Sequence, residues 1–101
     1  MLRIHRMVIG VCHLDLLIRE NNSLKGKRRI LKKIIERVKN KFNVSIAEVG
    51  NHDLWQSSQV GFCVVGNDKR FINSSLDKII RFIEDLNSAE IVKSEIELLN
   101  F

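Results

Sequence analysis

Between positions 48 and 56 the chain reads EVGNHDLWQ, and this stretch gathers many of the side chains that could do chemistry. Glu48, His52 and Asp53 offer two carboxylates and an imidazole, the groups used for proton transfer or for holding a metal. Trp55 and Gln56 follow with a large aromatic and an amide. A tetrahedral metal centre needs three or four ligands at reinforcing spacings, and His5 and His13 do not supply them. The simpler reading is architectural. Trp55 would be a buried anchor for a hairpin, Asp53 an acceptor for turn N–H groups, and Gly50 a point where the backbone takes a shape other residues resist. A third reading makes the loop a contact for a partner.

The second concentration of chemistry is positive charge. Lys25, Lys27, Arg28, Arg29, Lys32, Lys33 and Arg37 crowd one short stretch, with Glu36 as the acid among them. The net charge of +5 hides an asymmetry. Residues 1–41 hold twelve Lys or Arg against three Asp or Glu, whereas residues 42–101 hold five against nine. A concentrated basic surface attracts polyanions. On RNA it would contact mainly phosphates, with little reading of sequence and a steep loss of affinity in salt. The plain alternative is a solvated helix face with no ligand.

Signatures of enzymes are missing. The chain has no P-loop, no G-x-G-x-x-G, no C-x-x-C and no G-x-S-x-G. Cys12 and Cys63 are isolated in apolar runs and read as small core residues rather than nucleophiles. No catalysis, cofactor or metal is expected. Two cysteines, no cleavable leader and no run of ~20 apolar residues point to a reduced, cytoplasmic protein without a membrane segment.

These side chains need elements to position them. Ser23 is a suitable N-cap, and Ile30, Leu31, Ile34, Ile35, Val38 and Phe42 recur at helical spacing, so 23–42 reads as one amphipathic helix. Gly26 weakens helix by roughly 1 kcal/mol relative to Ala, so the regular helix is expected to begin after it, leaving first-turn N–H groups open to a phosphate. Residues 7–19 alternate as a strand, 43–50 as a second and 58–66 as a third. Asn67-Asp68 opens a second helix over 69–87, with Ile72, Leu76, Ile79, Ile80, Ile83 and Leu86 as its stripe and Phe71 and Phe82 beside it. Residues 90–99 form the last strand, with Val92, Ile96 and Leu98 facing in. The 101 residues form one domain. Met7 stands just before the first strand and can serve as the start, leaving 1–6 as an extension.

The order βαββαβ is the ferredoxin-like, split β-α-β arrangement of the α+β class: a four-stranded antiparallel sheet with both helices on one face. The open face should carry Ile9, Val11, His13, Cys63 and Val65. It lacks aromatics on its central strands, so base stacking on the sheet, as in RNA-recognition domains, is disfavoured. A mildly apolar face of this kind suits a second subunit, and a homo-oligomer, most simply a dimer, is expected. Cys12 and Cys63 would point to opposite faces, a geometry that disfavours a disulfide between them.

Residues 23–56, SLKGKRRILKKIIERVKNKFNVSIAEVGNHDLWQ, resemble the most distinctive part of the YlxP-like family, small bacterial proteins classed as a domain of unknown function. The matching pattern is S-L-K-x-K-R, then L-K and an arginine down the helix, then F-N-V-S-I-A-E-V-G and D-L-W-Q. The resemblance runs through nearly the whole chain from Met7 and implies the same ferredoxin-like fold. Family genes often lie beside those of translation and ribosome-maturation factors, so it also implies an RNA or ribosomal-particle partner, and no assigned catalysis. Glu48, Gly50, Asp53, Trp55 and Gln56 belong to its signature loop. The chain departs from the pattern in its MLRIHR extension and in Ser57-Ser58, where an arginine is expected after the glutamine. A non-catalytic oligomeric module that binds a small ligand or protein at the sheet interface is the alternative.

Overall fold

The computed structural model describes residues 7–101, so the possible extension at 1–6 and the reading of His5 lie outside the described residues. Six elements follow in the expected order: β1 (Val8–Leu17), α1 (Leu24–Lys41), β2 (Ser45–Gly50), β3 (Ser57–Gly66), α2 (Lys69–Asp85) and β4 (Glu90–Asn100). The sheet order is β2-β3-β1-β4, and each pair is antiparallel. This is the ferredoxin-like α+β arrangement.

Strict alternation along β1 decides the layering. Val8, Cys12, Leu14 and Leu16 are buried toward the helices, while Ile9, Val11, His13, Asp15 and Leu17 are only partly covered on the other face. Leu31, Ile34 and Val38 of α1 and Ile72, Leu76, Ile79 and Ile83 of α2 close the core from above. Each such aliphatic side chain contributes roughly 1.5–3 kcal/mol on burial. Phe42 and Phe82 meet edge to face at the far end of the helix pair, 5.5 Å between centroids.

Capping is as the sequence suggests. The Ser23 hydroxyl accepts from the Gly26 N–H at 2.9 Å, and the Asp68 carboxylate accepts from the Arg70 N–H at 2.8 Å. The helix nonetheless starts at Leu24, ahead of Gly26. The space over that glycine is filled: a Cβ there would lie 2.3 Å from Asn21 Oδ1. The Asn21 side chain therefore lies over Gly26, whose N–H is already taken by the Ser23 hydroxyl.

Strand β4 departs from expectation at one residue. Its register with β1 slips between Asp15 and Leu16, which pair with Lys93 and Ile91. Val92 falls in that irregularity and is 54% exposed rather than facing in. Ile96 and Leu98 do lie opposite Cys12 and Gly10 on the helix side, but on an edge strand that the helices cover only in part. Cys12 and Cys63 occupy opposite faces of neighbouring strands and are free.

Candidate nucleic-acid interface

Lys25, Arg28, Arg29, Lys32, Lys33, Arg37, Lys39 and Lys41 all lie exposed along α1, with Glu36 as the exposed acid among them. Among the described residues none of these cations forms an ion pair. Lys41 alone has a side-chain partner, the Phe82 ring at 5.2 Å. The helix therefore presents a row of uncompensated charge on its water side. Beside it, Arg28, Lys32 and Lys39 border a shallow groove whose floor includes Leu31 and Ile35.

Lys27 is the exception, and the expectation that it serves as a phosphate donor is corrected. It has no exposed surface. Its ammonium donates to the carbonyls of Asn51 at 2.6 Å, His52 at 3.1 Å and Ser57 at 3.2 Å, and lies 3.2 Å from Glu48 Oε2. The same Glu48 oxygen accepts from the buried Ser58 hydroxyl at 2.6 Å. Burying an unpaired ammonium is prohibitively costly, and here every donor and the charge itself are matched. The reason lies in helical spacing: position 27 falls one turn before Leu31, on the core stripe.

The loop between β2 and β3 is thus clamped to the start of α1. Asn21, also buried, adds further ties: its amide donates to the carbonyls of Ser23 and Trp55. Its own carbonyl accepts from Gln56 Nε2 at 2.9 Å. The Ile18 N–H donates to Gln56 O at 2.8 Å, and Asn51 Nδ2 donates to Ser57 Oγ at 2.9 Å. Ser57 and Ser58, where an arginine is expected, both serve this network.

Three details of the loop differ from expectation. Trp55 is not a buried anchor: 55% of it is exposed, and neighbouring Leu54 is 51% exposed. Backbone hydrogen bonds hold the loop, so the indole is not needed for that purpose. Asp53 does not close the turn. The Leu54 N–H donates to the Asn51 carbonyl at 3.1 Å instead, and the exposed Asp53 carboxylate has no hydrogen bond among the described residues. Gly50 is not in a left-handed conformation; Asn51 is, at φ 59°. Gly50 is small because the Gln59 side chain lies across it from the neighbouring strand, so close that a Cβ would meet its Oε1. Glu48 is committed to Lys27 and Ser58, and His52 contributes its carbonyl. The described residues contain no group of three or more His, Cys, Asp or Glu placed to hold a metal ion.

The open sheet face divides in two. At one end His13 Nδ1 stands 3.8 Å from Asp15 Oδ1, beyond hydrogen-bond distance. The adjacent Lys93 and Glu95 are paired at 3.0 Å. That contact holds the Glu95 carboxyl below its usual range and the Lys93 ammonium above its own. At the other end Ile9, Val11, Cys63, Val65 and Leu99 make an apolar area continuous with Met7 and Phe101, which pair through their backbones.

The comparisons with known proteins agree with this architecture. Residues 9–96 match the model of the family described as "Protein of unknown function (DUF503)". The chain belongs to this family. Within it, the chain is 37% identical over 83 residues to the uncharacterized protein YlxP of Bacillus subtilis (strain 168), covering 82% of this chain and 90% of that one. The YlxP-like resemblance of residues 23–56 is therefore correct. Among solved structures, the de novo designed protein Foldit4 superimposes with a TM-score of 0.54 at 21% identity, covering 94% of this chain and 98% of the design. That similarity concerns the fold alone. No helix among the described residues is long and apolar enough to cross a membrane.

Proposed function

We propose that this DUF503 protein is a non-catalytic accessory factor that docks on structured RNA, such as that of a ribosomal particle, through the solvent face of α1. The observation that carries the reading is the row of exposed cations from Lys25 to Lys39, unpaired among the described residues and set on one rigid helix. Lys25, Arg28, Arg29, Lys32, Lys33 and Arg37 would neutralise successive phosphates, and the released counterions would drive binding. Such contacts position a protein on RNA without reading its sequence. Two free cysteines on opposite sheet faces fit a reducing, cytoplasmic setting.

The test is fluorescence anisotropy of labelled RNA across a salt series, with wild type and the variant R28E/R29E/K32E/K33E. The reading expects a steep salt dependence in wild type and none in the variant. Absence of wild-type binding at low salt would overturn it.

A second reading concerns the open sheet face. Val65 is 62%, Phe101 58%, Val49 51% and Met7 44% exposed, an apolar area that a second copy would cover in a dimer. Sedimentation of wild type and of V11D or V65D tests it. A dimer dispersed by either charge supports the reading, and a monomeric wild type at high concentration sinks it.

A further inference from the structure

We propose that Trp55 is a stacking platform for an unpaired RNA base, placed at the amino-terminal end of the phosphate track on α1. The proposal rests on the reading of α1 as a polyanion face and names the kind of RNA that face takes: one with unpaired bases next to its backbone contact.

Position comes first. The Trp55 carbonyl accepts from Asn21 Nδ2, and Asn21 lies two residues before the N-cap of α1. The indole is thereby carried on a loop docked against the first turn of the helix, where the basic row begins with Lys25. Availability comes second. The ring is 55% exposed, and its N–H has no partner among the described residues. The loop's attachment uses the carbonyls of Asn51, His52, Trp55, Gln56 and Ser57, so the fold makes little use of the indole itself. Rigidity comes third. A loop fixed through the buried Lys27 and Asn21 loses little further freedom when a base settles on it, and that preorganisation favours binding.

Electrostatics selects the occupant. A single strand drawn to α1 and followed beyond its first turn would reach the loop that carries this ring, and single-stranded nucleic acid is held by such a pairing of a basic track with aromatic faces. The stacking surface lies on a loop rather than on the sheet, whose central strands carry no aromatic on the open face.

Trp55 is the single tryptophan and the chain has no tyrosine, so intrinsic emission reports this residue alone. The probes are a single-stranded oligoadenylate and an RNA duplex of matched length, added to wild type, W55F and W55A. Stacking predicts that the oligoadenylate quenches Trp55 emission over the concentration range in which anisotropy records binding. W55A should bind the oligoadenylate roughly five- to a hundredfold more weakly, and W55F should retain much of the affinity. The duplex should bind through α1 with little change in emission. Circular dichroism confirms that W55A is folded. Oligoadenylate binding with unchanged emission and undiminished W55A affinity would overturn stacking while leaving the α1 reading intact. Failure of both RNAs to bind at low salt would overturn both. A W55A defect in self-association, with RNA affinity unaltered, would overturn stacking in favour of a protein contact at this loop.

Discussion

The Lys27 ammonium and the Glu48 carboxylate form an ion pair of 3.2 Å in which the lysine has no exposed surface and the glutamate side chain is 18% exposed. The pair joins the first turns of α1 to β2, and three loop carbonyls complete the lysine's coordination. K27M would strand the carboxylate and those carbonyls together, and removing one partner of a buried pair typically costs about 3–5 kcal/mol. E48Q keeps an acceptor for Ser58 and loses less. The double variant K27M/E48Q should be more stable than the sum of its single changes predicts, because the two sites are directly coupled. Urea unfolding of the four proteins checks this. Folded K27M should retain its affinity for duplex RNA, which needs α1 and not the Trp55 loop, since the lysine does not reach the surface.

That residue also shows how far the sequence could be read. Spacing alone predicts the strands, both helices, their order and the division of β1 into two faces, because alternation and 3.6-residue periodicity respond directly to burial. The same spacing places Lys27 on the line through Leu31, Ile34 and Val38. Residue type argued for the surface, and position argued for the core. Position prevailed because backbone carbonyls more than twenty residues away replace the water a buried ammonium loses. Those partners are main-chain atoms of a distant loop, and no side-chain pattern announces them. Trp55 failed in the opposite sense. Its size suggested an anchor, but amide and lysine side chains already hold the loop through its backbone, so the ring was left outside.

The α1 reading predicts a graded response to single reversals. Each of R28E, R29E, K32E and K33E should lower the slope of log affinity against log salt by about 0.7 for a single-stranded ligand, the amount expected per phosphate contact. K78E reverses an exposed lysine on α2 and should leave the slope nearly unchanged. Equal effects at Lys78 and at the α1 positions would mean that net charge, rather than this helix, governs binding. Anisotropy at four or more salt concentrations separates the two outcomes.

Gly26 sets helix propensity against packing. In an open helix interior G26A would stabilise by ~1 kcal/mol. Here the added methyl meets Asn21 Oδ1 at 2.3 Å and Ser23 Oγ at 3.0 Å. Asn21 is a short, buried side chain held by two carbonyls, so it has little freedom to withdraw. The clash should prevail, with G26A less stable by about 1–2 kcal/mol through loss of those hydrogen bonds. N21A/G26A should recover part of that loss relative to N21A alone, since the methyl then enters vacated space. Stabilisation by G26A in urea unfolding would show that the 21–26 turn is free to relax.

The two cysteines should behave as different reagents. Burial, reinforced by the Asp77 carboxylate, pushes the Cys12 thiol up to about 11 from 9.0. A group whose folded pKa is raised holds its proton more tightly in the native state. Its stabilising contribution is therefore full below about pH 9 and is lost as pH rises from 9 toward 11, as the unfolded thiol ionises and the folded one does not. Wild type should lose stability across that window by up to about 1.4 kcal/mol per pH unit more than C12A. Comparing the slopes of the two proteins removes the packing cost of the substitution. In the native protein near pH 8, a thiol reagent should titrate Cys63, which is partly exposed on the open face, and reach Cys12 only after unfolding. Cys63 lies opposite Val11, within the face proposed to take a second copy. Its modification rate should accordingly fall as protein concentration rises, and V65D should abolish that protection. A rate independent of concentration would leave the apolar face without a second copy upon it.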